Sequence, residues 1–117
     1  MFGSNLAGVH GGGAARFALE KRGAIWGVGV GPQGNAYAIP TKDERIETLP
    51  LNRIRPYIEQ FKAYALLHPE YQFQVMAIGC GLAGYKPADI APMFINAPIN
   101  CEMPPEWADF FKENPRT

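Results

Sequence analysis

Glycine placement constrains this chain more than any other feature. Ten of its 13 glycines fall between Gly3 and Gly34, none lies between Asn35 and Gly79, and the last three sit in Gly79-Cys80-Gly81-Leu82-Ala83-Gly84. Glycine is needed where φ is positive or where another group must touch the main chain, because a Cβ obstructs both. Two separated clusters therefore predict two loops that approach a common object. Within the first cluster, Gly27, Gly29, Gly31 and Gly34 read as a flexible connection through GVGVGPQG, with Pro32 stiffening one turn.

Strand and helix signals alternate around these loops. Met1-Phe2 before Gly3-Ser4-Asn5 reads as the end of a first strand. Residues 11–22 predict a helix, with Ala14, Ala15, Phe17, Ala18 and Leu19 as helical or core residues and Gly23 as the C′ residue. NAYAIP at 35–40 predicts a buried strand that Pro40 terminates. Ile54, Ile58, Phe61 and Ala65 recur at helical spacing, with Asn52 as a cap, Pro56 in the first turn and His68-Pro69 as the stop. FQVMAI at 73–78 is the strongest strand signal and runs straight into the second glycine cluster. Pro87 opens a short helix that Pro92 keeps brief, and 99–103 predicts a last short strand. Residues 105–112 predict a terminal helix with Trp107, Phe110 and Phe111 on one side.

This alternation predicts an α/β fold: a single compact α/β/α sandwich on a mostly parallel sheet, one domain spanning 1–117. Ligands in such sheets bind beyond the carboxyl ends of the strands. GSNLAGVHGGG, PTKD and GCGLAGY each follow a strand, so three loops are expected on one rim.

Composition narrows the partners. Eleven Lys+Arg balance 11 Asp+Glu, and a net charge of zero removes the usual basis for nucleic-acid binding. No apolar run approaches the roughly 20 residues of a membrane span. MFGSN has no basic segment followed by an apolar core, so a cytoplasmic location is expected. Cys80 and Cys101 form neither a disulfide framework nor a metal-ligand spacing, and no cofactor motif is present.

The rim loops nevertheless carry chemistry. Gly11, Gly12 and Gly13 open a helix, where exposed amides and the helix dipole make an anion site without a basic side chain. GVHGGG is neither a phosphate loop of the GxxxxGK[ST] type nor a GxGxxG fingerprint. The second loop offers further amides from Cys80, Gly81, Leu82, Ala83 and Gly84. Tyr85 there is either a stacking surface for a base or ribose or a packing residue. Ser4 and Asn5 are placed to bond sugar hydroxyls, with an Asx-turn as the alternative for Asn5. His10 is a proton carrier or phosphate donor, or else a solvent-facing loop residue. Lys42 is the best-placed cation, with Asp43 either pairing with it or capping the next segment. Cys80, flanked by glycines, is inert without a neighbouring base.

GSNLAGVHGGGAA, YAIPTK and IGCGLAGY, in that order and with a long helix before the third, resemble the macrodomain superfamily. The nearest branch is terminal ADP-ribose protein glycohydrolase, and the chain is also similar to small macro-like proteins of phage genomes. The resemblance spans most of residues 2–90. It implies binding of ADP-ribose or a related NAD-derived nucleotide, with Gly11–Gly13 and Gly79–Tyr85 enclosing the diphosphate and distal ribose and Asn5 beside that ribose. A phage-type relationship implies a host-cytoplasm setting and sequestration of a signalling nucleotide. Lys42 matches the branch's lysine nucleophile, which implies a glycohydrolase or deacylase as the alternative function. Two departures follow. Ala83 stands where the branch has its catalytic acid, a loss of about 10²–10⁴ in rate unless Asp43 or Asp89 substitutes. The N-terminal strand pair whose aspartate reads adenine is expected to be missing. A third reading is an interaction module docking through Trp107, Phe110 and Phe111, and an uncovered sheet edge would invite a homodimer.

Overall fold

The four apolar residues at helical spacing, Ile54, Ile58, Phe61 and Ala65, lie on the buried stripe of α2 (Leu51–Leu67). All four are fully inaccessible. In the computed structural model, which describes residues 1–81 and 83–115, the helix starts earlier than predicted. Pro50 rather than Asn52 is its N-cap, so Pro56 lies inside the helix, past the first turn. The ring at that position removes only the bond to the Asn52 carbonyl and faces solvent, which limits its cost.

The protein has a mixed α/β fold built on small sheets. β1 (Phe2–Asn5) pairs in parallel with β3 (Ala36–Lys42), and β2 (Gly31–Gln33) pairs antiparallel with β3 on its other side. β4 (Phe73–Gln74) pairs in parallel with β5 (Cys101–Glu102). Two main-chain bonds join these sheets. The Met1 nitrogen donates to the Gln74 carbonyl (2.8 Å) and Met76 N–H to the Met1 carbonyl (3.2 Å). They straddle Val75 in the pattern of a parallel pair. The strands therefore lie in the order β2, β3, β1, β4, β5.

The sheet is not all parallel, because GVGVGPQG is more than a connection. Its end forms β2 and turns into β3 through the two-residue loop Gly34-Asn35, with Gly34 at φ +56°. Glycine at the first central position is the signature of a tight hairpin turn. β3 also runs on to Lys42 instead of stopping at Pro40. β2 pairs only with Ala36–Ala38 and residues 47–49 bond to β3 only from Thr41 onward, so neither segment pairs with Pro40, which lacks an N–H. FQVMAI forms only a short regular strand. Pairing continues through Val75 and Met76, and a tight turn from Ile78 N–H to the Met76 carbonyl then ends it.

Helices cover both faces. α1 (Gly13–Lys21) buries Ala18 against Phe2, Ala24 and Ala38. It is shorter than the predicted 11–22, and Phe17 is 52% exposed. Gly23 occupies C′ with φ +79°. Tyr37 and Ile39 face the opposite side, where α2, α3 (Pro87–Ile90) and the 3-10 helix Ala91–Phe94 form the main core. A second 3-10 helix, Pro105–Trp107, leads into α4 (Ala108–Glu113). Trp107 is fully buried 5.1 Å from Phe94, and Phe110 and Phe111 pack half-buried beside the core. Trp107 therefore belongs to the core, with Phe110 and Phe111 at its margin. Among the described residues no helix is long and apolar enough to cross a membrane.

Candidate functional site

The carboxyl ends of β1, β3 and β4 meet at one rim, and their connections leave it on opposite faces. The loop after β1 leads to α1 on one face, whereas those after β3 and β4 lead to α2 and α3 on the other. Such divergence of adjacent connections marks the strand ends as the usual ligand position in α/β sheets. β1 is central to it. Asn5 pairs with Lys42 across a register shift, Leu6 N–H donates to the Lys42 carbonyl (2.9 Å), and a Cβ on Gly3 would touch Ile78. The loops after β3 and β4 are tied together, with Thr48 Oγ1 donating to the Ala83 carbonyl (3.0 Å) and Tyr85 Oη to the Leu49 carbonyl (2.5 Å).

Most polar side chains expected to meet a ligand are spent inside the protein. Ser4 is buried and its hydroxyl donates to the Gly29 carbonyl. Asn5 braces its own loop, with Nδ2 donating to the Val9 carbonyl (2.9 Å) and Oδ1 accepting from Val9 N–H (3.0 Å). His10 is fully buried rather than solvent-facing, so it has no path to a phosphate. Its Nε2–H donates to the Val28 carbonyl (3.0 Å), which fixes the tautomer, and Nδ1 has no partner among the described residues. Tyr85 packs half-buried against the main core with its hydroxyl engaged. Burial pushes the Cys80 thiol up, only partly opposed by the nearby Trp107 indole, so the thiolate is disfavoured. Ala83 is half-buried, and Leu82 lies outside the described residues.

Lys42 is half-buried at the end of β3, and among the described residues its amine has no ion-pair or hydrogen-bond partner. Both carboxylates that could replace an acid at Ala83 serve their own loops. Asp43 accepts from Arg45 N–H (2.8 Å) and Glu47 N–H (3.0 Å), and Asp89 accepts from Lys86 N–H (2.9 Å).

Main chain remains, and here the glycines divide. Several in the first cluster are explained by close backbone approach: a Cβ on Gly8 would lie 2.2 Å from the Gly27 carbonyl carbon, and one on Gly29 2.0 Å from the Asn5 oxygen. Gly11, Gly12 and Gly81 have no such explanation. They are exposed, none has positive φ, and a Cβ would meet nothing closer than 3.9 Å. Among the described residues their amides also lack partners. Gly12 is the N-cap of α1, in extended conformation and without any side-chain cap.

Ile46 is the one non-glycine residue with positive φ among the described residues (63°), and it sits 44% exposed in the loop after β3. A β-branched residue is strained there. Ile46→Gly is expected to stabilise the protein by about 1 kcal/mol, raising the melting temperature by about 4 °C in a thermal denaturation. An unchanged or lower melting temperature would show that the loop relaxes around isoleucine.

A cavity of about 880 Å³ lies beside α1, lined by Phe2, Phe17, Tyr64, Tyr71, Phe73 and Met76 among others, and of the rim loops it includes Gly13 and Ala14. No group of three metal-ligating side chains occurs among the described residues. The chain matches no protein-family model, no curated protein and no solved structure.

Proposed function

We propose that the rim binds a nucleotide of the ADP-ribose type and grips its diphosphate with main-chain amides of the two glycine loops. The observation that carries this reading is the set Gly11, Gly12 and Gly81. The fold requires glycine at none of them, yet all three lie in loops that leave neighbouring parallel strands at one rim. A ligand touching the backbone is the remaining reason to exclude a Cβ. The amides at the start of α1 supply positive potential, which reconciles anion binding with a net charge of zero. On this reading the fold is a reduced macrodomain-like α/β/α sandwich, supported by α1 on one face of the sheet and α2 on the other, and the protein sequesters an NAD-derived nucleotide. Calorimetry and thermal shift with ADP-ribose, its cyclic isomers and NAD test the proposal. Binding to at least one is expected, with a stabilisation of about 2.7 kcal/mol at a hundredfold excess over Kd. No heat and no shift with any of them would overturn it.

Turnover is the second reading, favoured by Lys42 at the rim, whose amine has no partner among the described residues. It has less support, because Ala83 has no acidic group and Asp43 and Asp89 are already engaged. Loss of ADP-ribose release from a modified substrate in Lys42→Ala would favour the enzyme. Equal slow release by both proteins would exclude Lys42 as nucleophile.

A further inference from the structure

Trp26 is the bulkiest side chain left exposed, at 57%, and it has apolar company in Ile25 (52%), Val9 (41%) and Val28 (36%). Isolated surface apolar residues need no explanation, but this group is neither isolated nor loosely held. Trp26 and Gly27 form the corner of a turn closed by Val28 N–H donating to the Ile25 carbonyl (3.1 Å), with Gly27 at φ +90°. That turn is fastened to the loop after β1. Gly27 N–H donates to the Gly8 carbonyl (2.8 Å), and the two backbones touch so closely that no Cβ fits at Gly8. Ile25 N–H donates to Gln33 Oε1 (2.7 Å), and His10 holds the Val28 carbonyl.

His10 also sets the indole's surroundings. Its buried ring lies edge-on between Phe2 (5.3 Å, 81°) and Trp26 (6.4 Å, 79°). The next residue in the chain is Gly11, whose amide is unpartnered. The exposed indole thus packs edge-on against the residue that immediately precedes the amides at the start of α1.

We infer that Trp26, next to the exposed Ile25, is the stacking platform for the heteroaromatic base of a nucleotide whose phosphates rest on Gly11–Gly13. This rests on the nucleotide reading above and specifies how the base is held. Every base has a π-face, so stacking favours nucleotides over sugar phosphates while discriminating weakly among bases. The locked turn presents the indole already oriented, so little ordering accompanies binding.

The test compares wild type, Trp26→Ala and Trp26→Phe, titrated with ADP-ribose and with ribose 5-phosphate by calorimetry and tryptophan fluorescence. Trp107 is buried, so a change in the exposed indole's emission reports on Trp26. ADP-ribose is expected to quench that emission. Trp26→Ala is expected to weaken ADP-ribose binding by about 10- to 100-fold without changing the response to ribose 5-phosphate, and Trp26→Phe to recover most of the affinity. Undiminished ADP-ribose binding by Trp26→Ala would overturn the stacking role and leave the nucleotide reading standing. An equal loss for both ligands would make Trp26 merely structural. No binding of ADP-ribose, NAD or ribose 5-phosphate to wild type would overturn both.

Discussion

Gly29→Ala is expected to destabilise the protein strongly, although it adds a single methyl group to a segment that reads as a flexible connection. The methyl carbon would lie 2.0 Å from the Asn5 carbonyl oxygen and 3.0 Å from its carbon. Main chain cannot swing aside as a side chain can. Asn5 is held by β1–β3 pairing and by its bonds to Val9, and the Gly29 carbonyl is held by Ser4. Relief requires moving one of two tethered backbones, which places the cost at about 3 kcal/mol or more. That corresponds to a drop of at least about 10 °C in melting temperature for a domain of this size, read by thermal denaturation. A melting temperature within about 2 °C of wild type would show that the 27–29 turn is not seated against β1.

Gly12→Asp is expected to do the reverse to stability while removing the function. Gly12 is the α1 N-cap, extended at φ −155° and ψ 165°, with free space around its would-be Cβ. Aspartate is a better cap than glycine by a few tenths of a kcal/mol, and its charge gains about 0.3–1 kcal/mol from the helix dipole. The variant should therefore melt slightly higher than wild type. The same carboxylate, bonded to the Ala14 or Ala15 amide, would set a negative charge beside the Gly11–Gly13 amides proposed to hold the diphosphate and repel any phosphate near them. Nucleotide affinity should fall by about 100-fold or more, since lost helix-start potential and one new repulsion each contribute on the order of a factor of ten. Raised melting with unchanged ADP-ribose affinity would move the anion site away from α1. Lowered melting would contradict the extended N-cap itself.

The elements legible in the sequence were those whose signal is local. The spacing of Ile54, Ile58, Phe61 and Ala65 needs no partner to be read, and it located α2 and its buried face. His68-Pro69 marks its end for the same reason, whereas its start differs from the expectation because Pro50, not Asn52, is the cap. β2 was hidden because Gly31, Pro32 and Gln33 have neither β-branching nor alternation. That strand is held by the Gly34-Asn35 turn and by Gln33, whose side chain bonds Ile25 and Val28.

The site was legible in outline only. Strand-end placement of the loops after Asn5, Lys42 and Ile78 follows from element order, and the structure brings them to one rim. What each polar group does there depends on atoms far along the chain. Ser4 is committed to Gly29, His10 to Val28 and Tyr85 to Leu49. Nothing near any of these three in sequence announces its partner. The same holds for the glycines: Gly8 and Gly29 are required by contacts across the fold, Gly11 and Gly12 by nothing internal, and the bare spelling GVHGGG treats them alike. Nothing in GAIWGVGVG distinguishes Trp26 from a core tryptophan, and only its exposure separates it from Trp107.

Fastening residues 25–29 against the loop after β1 has a consequence for how the protein meets any small molecule. A glycine-rich stretch is thus tethered through main-chain contacts, so the surfaces it carries are preorganised before encounter. Association then proceeds as rigid docking, and differences among ligands should be expressed in how slowly they leave rather than how quickly they arrive.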